Sequence, residues 1–171
     1  MTIFGDKTIF AIEIENAGKE DVFFFCFWCC GKQIGDFSTP VYIRYSINFI
    51  HEFLRYSECR SLEGSCCMDK GRLFYELHDF EMLPENRFEN HEYKLISKMD
   101  FGKKRILFHM NDIGGSSFLD KTHIILINEK EKNRQRLIWG DFANMSLNEE
   151  FLPLNYVDSI LIELLNAFDE G

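Results

Sequence analysis

The sequence predicts an α+β fold: a largely antiparallel sheet with two main helices packed on it, in one domain spanning residues 1–171. Three observations carry that expectation. Short β-rich runs occur early and again late in the chain, joined by turns and not by the long crossovers that parallel strands require. Two longer segments repeat apolar residues at helical spacing. No linker, low-complexity tract or internal repeat divides the chain, and 171 residues suffice for a core that buries roughly 70% of the unfolded surface.

The elements follow in order. Thr8 to Asn16 sets Ile12 and Ile14 against Glu13 and Glu15, the period-two pattern of a strand with one wet face. Ala17 to Glu20 reads as a turn. Val22 to Cys30 is an unbroken apolar run rich in aromatics, as in a strand covered on both faces. Gly31-Lys32 suits a tight hairpin, so Gln33 to Phe37 is expected to return as a short strand beside it. Thr39 and Pro40 suit the cap and first position of a helix running to about Ser57, with Ile43, Ile47, Ile50 and Leu54 on one face. A loop follows, and Arg72 to Phe80 reads as a shorter helix. Leu83 to Asn90 is polar loop, and Tyr93 to Met99 fits strand and helix equally. Arg105 to Met110, Thr122 to Asn128 and Arg134 to Gly140 read as strands, the last two forming a hairpin. Asn155 then caps a final helix whose stripe is Val157, Ile160, Leu161, Leu164, Leu165 and Phe168.

The formal charge is −9, and it is uneven. No Lys or Arg occurs from Leu137 to Gly171, where Asp141, Glu149, Glu150, Asp158, Glu163, Asp169 and Glu170 contribute −7. Such a segment repels nucleic acid and attracts basic partners; a solvated face kept acidic for solubility is the plainer alternative. The N-terminus MTIFGDKTIF lacks a basic region followed by an apolar core, and no apolar run approaches the roughly 20 residues of a membrane span. The expected setting is therefore the cytoplasm, with no membrane association, where the six cysteines stay reduced.

Catalytic and metal-binding patterns find little support among these elements. The cysteines Cys26, Cys29, Cys30, Cys59, Cys66 and Cys67 lack the paired CxxC knuckles of a zinc site, and strand alternation sends Cys26 and Cys29 to opposite faces. Free thiols packed as small apolar groups are the expectation, with no metal and no cofactor. An apolar setting raises a thiol pKa, the opposite of what a nucleophile needs. Of His51, His78, His91, His109 and His123, the first and third begin HEFLR and HEYKL, which lack the second histidine of a zinc-protease helix. The glycines of NDIGGSSFLD have no following P-loop lysine, and Lys103, Lys104 and Arg105 form only one short basic cluster. The residues alone therefore point to a binding module without catalytic residues; a thiol- or zinc-dependent enzyme and a general protein-binding adaptor are the alternatives.

Three stretches carry a more specific resemblance. FGDKTIFAIEIE, FCFWCCGKQIGDFS and SSFLDKTHIILINEKEKNRQRLIWG, with a compatible C-terminal LPLNYVDSILIELLNAF, resemble the immunity protein 42 family of bacterial polymorphic toxin systems. The matching residues are Gly5-Asp6, Phe27-Trp28, Gly35-Asp36 and Trp139, and the cysteine pair at 29–30 departs from the pattern. The resemblance implies a small cytoplasmic antidote that binds a cognate toxin domain and blocks it; the acidic charge already argues against nucleic acid as a partner. An acidic surface suits a basic target such as a nuclease. The expected contacts are Asp36, Asp141, Glu149, Glu150, Asp158 and Glu163, with Trp28 and Trp139 in the core.

Overall fold

A computed structural model describes residues 1–82, 108–115, 122–141 and 146–169. The expectations for 83–90, 93–99 and 105–107, together with His91 and the basic cluster at 103–105, lie outside the described residues. The α+β class and the antiparallel pairing are observed, but the strands divide between two sheets. The first contains β1 (Thr2–Asp6), β2 (Phe10–Lys19), β3 (Val22–Cys29), β4 (Lys32–Ile34) and β5 (Pro40–Tyr42). The second contains β6 (Thr122–Glu129), β7 (Arg134–Asp141) and β8 (Ser146–Pro153). The helices are α1 (Ile43–Arg55), α2 (Lys70–Met82) and α3 (Tyr156–Asp169), so the arrangement of two main helices on one sheet is not what the described residues show.

The aromatic run Val22–Cys29 is the central strand of its sheet, pairing β2 on one side and both β4 and β5 on the other. Phe4, Ile12, Phe27 and Ile34 stand in one cross-strand row and are all buried. The β3–β4 turn is one residue earlier than expected. Cys29 pairs with Lys32, leaving Cys30 (φ 49°) and Gly31 (φ 75°) as the two central residues. Positive φ at both positions is the turn whose twist matches the flanking strands.

Pro40 is not the first residue of a helix. Pro40–Tyr42 forms β5, with Val41 buried between exposed neighbours, and the helix begins at Ile43. The Thr39 hydroxyl, expected to cap that helix, donates to Asp36 Oδ2 at 2.9 Å. On β6 and β7 adjacent residues face two cores. Ile124, Leu126, Leu137 and Trp139 join the first sheet, α1 and α3, whereas Ile125, Ile127 and Ile138 pack with Leu73, Phe74 and Leu77 of α2. That double burial explains the near-continuous apolar runs of these strands. α3 contacts β1, β2 and β8, and so packs on both sheets.

Candidate functional site

The motif residues of the N-terminal half build turns and packing contacts. Gly5 has φ 86°, and a Cβ there would lie 2.6 Å from the Phe10 carbonyl oxygen and 2.9 Å from Ile160 Cδ1. Its bare backbone is what lets α3 approach β1. Asp6 Oδ1 accepts from the Thr8 N–H at 2.8 Å and its hydroxyl at 2.7 Å, and these bonds hold the carboxyl below its usual range. Asp36 repeats the device after Gly35 (φ 96°): Oδ1 accepts from Ser38 N–H at 2.8 Å and Ser38 Oγ at 2.6 Å, again lowering the carboxyl.

Trp28 is partly buried, packs against the main core and also joins a polar cluster on its own face of the sheet. Glu13 Oε2 accepts from Trp28 Nε1 at 2.7 Å and from Lys7 Nζ at 2.8 Å, while the ammonium sits 4.1 Å from the indole ring centroid. Burial raises the Glu13 carboxyl, but the bonds from Lys7 and Trp28 outweigh it and leave it lowered. Cys26 lies opposite Glu13 on this face, whereas Cys29 lies opposite Phe10 on the other. Burial pushes the Cys26 thiol up to about 12. Both are therefore neutral packing groups at pH 7. Trp139 is buried in the main core.

The acidic positions expected to form one contact surface are dispersed. Asp36 and Glu163 are exposed. Glu149 and Glu150 are adjacent on β8, so they face opposite sides of the sheet. Glu149 pairs with Arg136, Nη2 to Oε1 at 2.5 Å, and Arg136 also reaches Glu129. Glu150 lies beside the β3–β4 turn, where burial and its carboxylate together raise the Cys30 thiol. Asp141 ends β7, paired with Ser146 and Thr122.

Asp158 requires a correction, because it is only 6% exposed and faces inward from the first turn of α3. Its Oδ1 accepts from the fully buried Arg60 guanidinium, and its Oδ2 accepts from Gln135 Nε2 at 2.6 Å. Arg60 also donates to the Phe53 carbonyl at 3.1 Å and stacks 3.9 Å from the Phe53 ring centroid. Gln135 donates to Asn128 Oδ1 and accepts the Val157 N–H, both at 2.9 Å. A β7 side chain thus caps α3, where Asn155 was expected to do so; Asn155 precedes the helix at φ 62°. The helical pattern around Asp158 gave no sign of this partner, since Arg60 lies 98 residues away in a loop.

Sequence reading also missed an aromatic groove. Tyr42 and Tyr45 are 62% and 73% exposed, with rings edge-to-face at 6.3 Å, beside a cavity of about 520 Å³ that Phe49 and Ser46 also line. Tyr45 projects outward because Ile43, Ser46 and Ile50 take the buried face of α1. Exposed tyrosines of this kind supply large contact area at low entropic cost. Among the described residues, no group of three or more His, Cys, Asp or Glu side chains is placed to hold a metal ion. None of the described helices is long and apolar enough to cross a membrane.

Comparison with known proteins gives a match to one family model, immunity protein 42, over residues 1–167. Neither the curated proteins nor the solved structures contain a match. The matched span takes in both sheets and nearly all of α3, so the turn aspartates, Gly5 and the two tryptophans all fall within it. The chain belongs to the immunity protein 42 family.

Proposed function

We propose that this protein is the cytoplasmic antidote to a cognate polymorphic toxin domain and neutralises it by covering its active site. The observation that carries this reading is the family match over residues 1–167. Inhibition by binding needs no reacting groups on the inhibitor, only a surface complementary to its target. The net charge of −9 favours a basic target, for which a nuclease is the natural class, because an acidic surface can occupy a groove built for phosphates. Asp36, Glu150 and Glu163 are the acidic contacts in this proposal, together with Asp141 and Glu149. Tyr42 and Tyr45 supply aromatic anchors.

Co-expression tests the proposal. The toxin domain encoded next to this chain should arrest growth alone and lose that effect when the chain is present, with a complex recovered on copurification. Continued killing without complex formation would reject the role for that pair. Glu150→Lys should weaken the complex and flatten its salt dependence. Tyr42→Ala combined with Tyr45→Ala should weaken it by about tenfold or more with little change in salt dependence. Unchanged affinity in both variants would move the interface to another face.

A further inference from the structure

We propose that Cys66 and Cys67 are a reversible modification site: a vicinal dithiol that a hydroperoxide closes into an intrachain disulfide and a dithiol reductant reopens. Their sulfur atoms lie 3.7 Å apart, already in contact. Cys67 is exposed and Cys66 half-buried, whereas Cys26 and Cys29 are shut inside the fold. The pair occupies a single 3-10 turn, Ser65–Cys67, entered through Gly64 at φ 78°. Arg136 grips the turn on both sides, Nη1 donating to the Ser65 carbonyl at 2.7 Å and Nη2 to the Met68 carbonyl at 2.9 Å. The two thiols are therefore held side by side by a buried guanidinium from β7.

The hydrogen bond to Cys67 is the largest cause raising the Cys66 thiol, with burial and the Glu129 and Glu131 carboxylates adding to it. Cys66 is the resolving thiol, and Cys67, the more accessible of the two, is the nucleophile. Its thiolate attacks a peroxide oxygen, the O–O bond breaks, and hydroxide leaves to take up a proton as water. Cys67 is now a sulfenic acid. The Cys66 sulfur attacks the Cys67 sulfur, the S–O bond breaks, and the hydroxyl departs as water with the Cys66 proton. Two thiols and one hydrogen peroxide become one disulfide and two waters, with two electrons passing to the peroxide oxygens.

Reopening follows from chain geometry. Consecutive Cα atoms are about 3.8 Å apart, below the usual disulfide range that begins at about 4.4 Å. A bond between neighbours is accordingly strained and easily reduced, as suits a regulatory rather than a structural bridge. Closing it must rotate the 66–67 peptide, which disturbs the bonds from Cys67 N–H to Gly64 O and from Met68 N–H to Ser65 O, each 3.1 Å.

The sequence supplies a clean assay. Cleavage after Arg60 and Lys70 releases SLEGSCCMDK, a peptide whose only cysteines are this pair. The reduced full-length chain is treated with hydrogen peroxide, alkylated and digested. The expected peptide is unalkylated and lighter by two hydrogens, and treatment with dithiothreitol before alkylation restores two alkylated cysteines. In Cys66→Ser the Cys67 sulfenic acid should instead be captured by dimedone. Amide exchange at Cys67 and Met68 should rise about tenfold or more on oxidation. Two freely alkylated cysteines after peroxide, a bridge to Cys59 or to a second chain, or irreversible sulfinic acid at the pair would each overturn the proposal. The wild-type peptide map decides this without any variant.

Discussion

Asp158→Ala separates an interior role for this carboxylate from the surface role that its position in an acidic segment suggested. In the structure it offsets the charge of Arg60, which is 0% exposed, and it accepts a second bond from Gln135. Removing it leaves a buried guanidinium uncompensated, at a cost of about 3–5 kcal/mol. For a chain of this size that corresponds to a fall in Tm of roughly 6–20 °C, taking about 2–4 °C per kcal/mol. Urea unfolding at pH 7, followed by circular dichroism, measures it directly. A control at the exposed Glu163, Glu163→Gln, should stay within about 0.5 kcal/mol of wild type. Replacing both partners, Arg60→Met with Asp158→Leu, should be less destabilising than Asp158→Ala, because no charge is then left buried. Gln135 keeps its bonds to Asn128 and Val157 in that double variant. If Asp158→Ala lowers stability by less than about 1 kcal/mol, the buried-pair reasoning is wrong.

Two further outcomes test the elements around the N-terminal sheet. The folded Glu13 carboxyl lies below the ordinary glutamate value, so its contribution is present above that ordinary value and is lost as pH falls through the lower folded one. Glu13→Gln should flatten the acid limb of a stability-versus-pH curve, and an unchanged limb would show that the Lys7 and Trp28 bonds contribute little. Gly5→Ala should lower stability by about 2 kcal/mol or more, since it combines a positive φ with a Cβ pressed against the Phe10 carbonyl and Ile160. A thermal shift indistinguishable from wild type would mean that α3 can move away from β1 at no cost.

Much of the fold was legible locally. Period-two alternation located β2, the unbroken aromatic run located β3, and helical spacing located α1 and α3, because each pattern is imposed by which faces must leave water. Both β6 and β7 were placed to within a residue. The misses have physical causes. Pro40 and Thr39 are equally at home before a helix or on an edge strand, and only pairing with Phe24 decides between them. Strand β1 escaped notice because its side chains are largely exposed, and β8 because its mostly half-buried side chains show little alternation.

The candidate contact surface was the least legible part. A run of acidic residues in sequence is spread by a pleated strand and a helix over different faces, so Glu149 meets Arg136, Glu150 meets the β3–β4 turn, and Asp158 turns inward to Arg60. The tyrosine groove was equally hidden, since Tyr42 and Tyr45 are ordinary residues until β5 and α1 place them beside Phe49. By itself the sequence determined the antiparallel α+β class, the central aromatic strand, the acidic balance and the family, because these depend on composition, local periodicity and short motifs. Only the tertiary structure decided which charges remain at the surface, for burial depends on partners distant in the chain, as Arg60 is from Asp158.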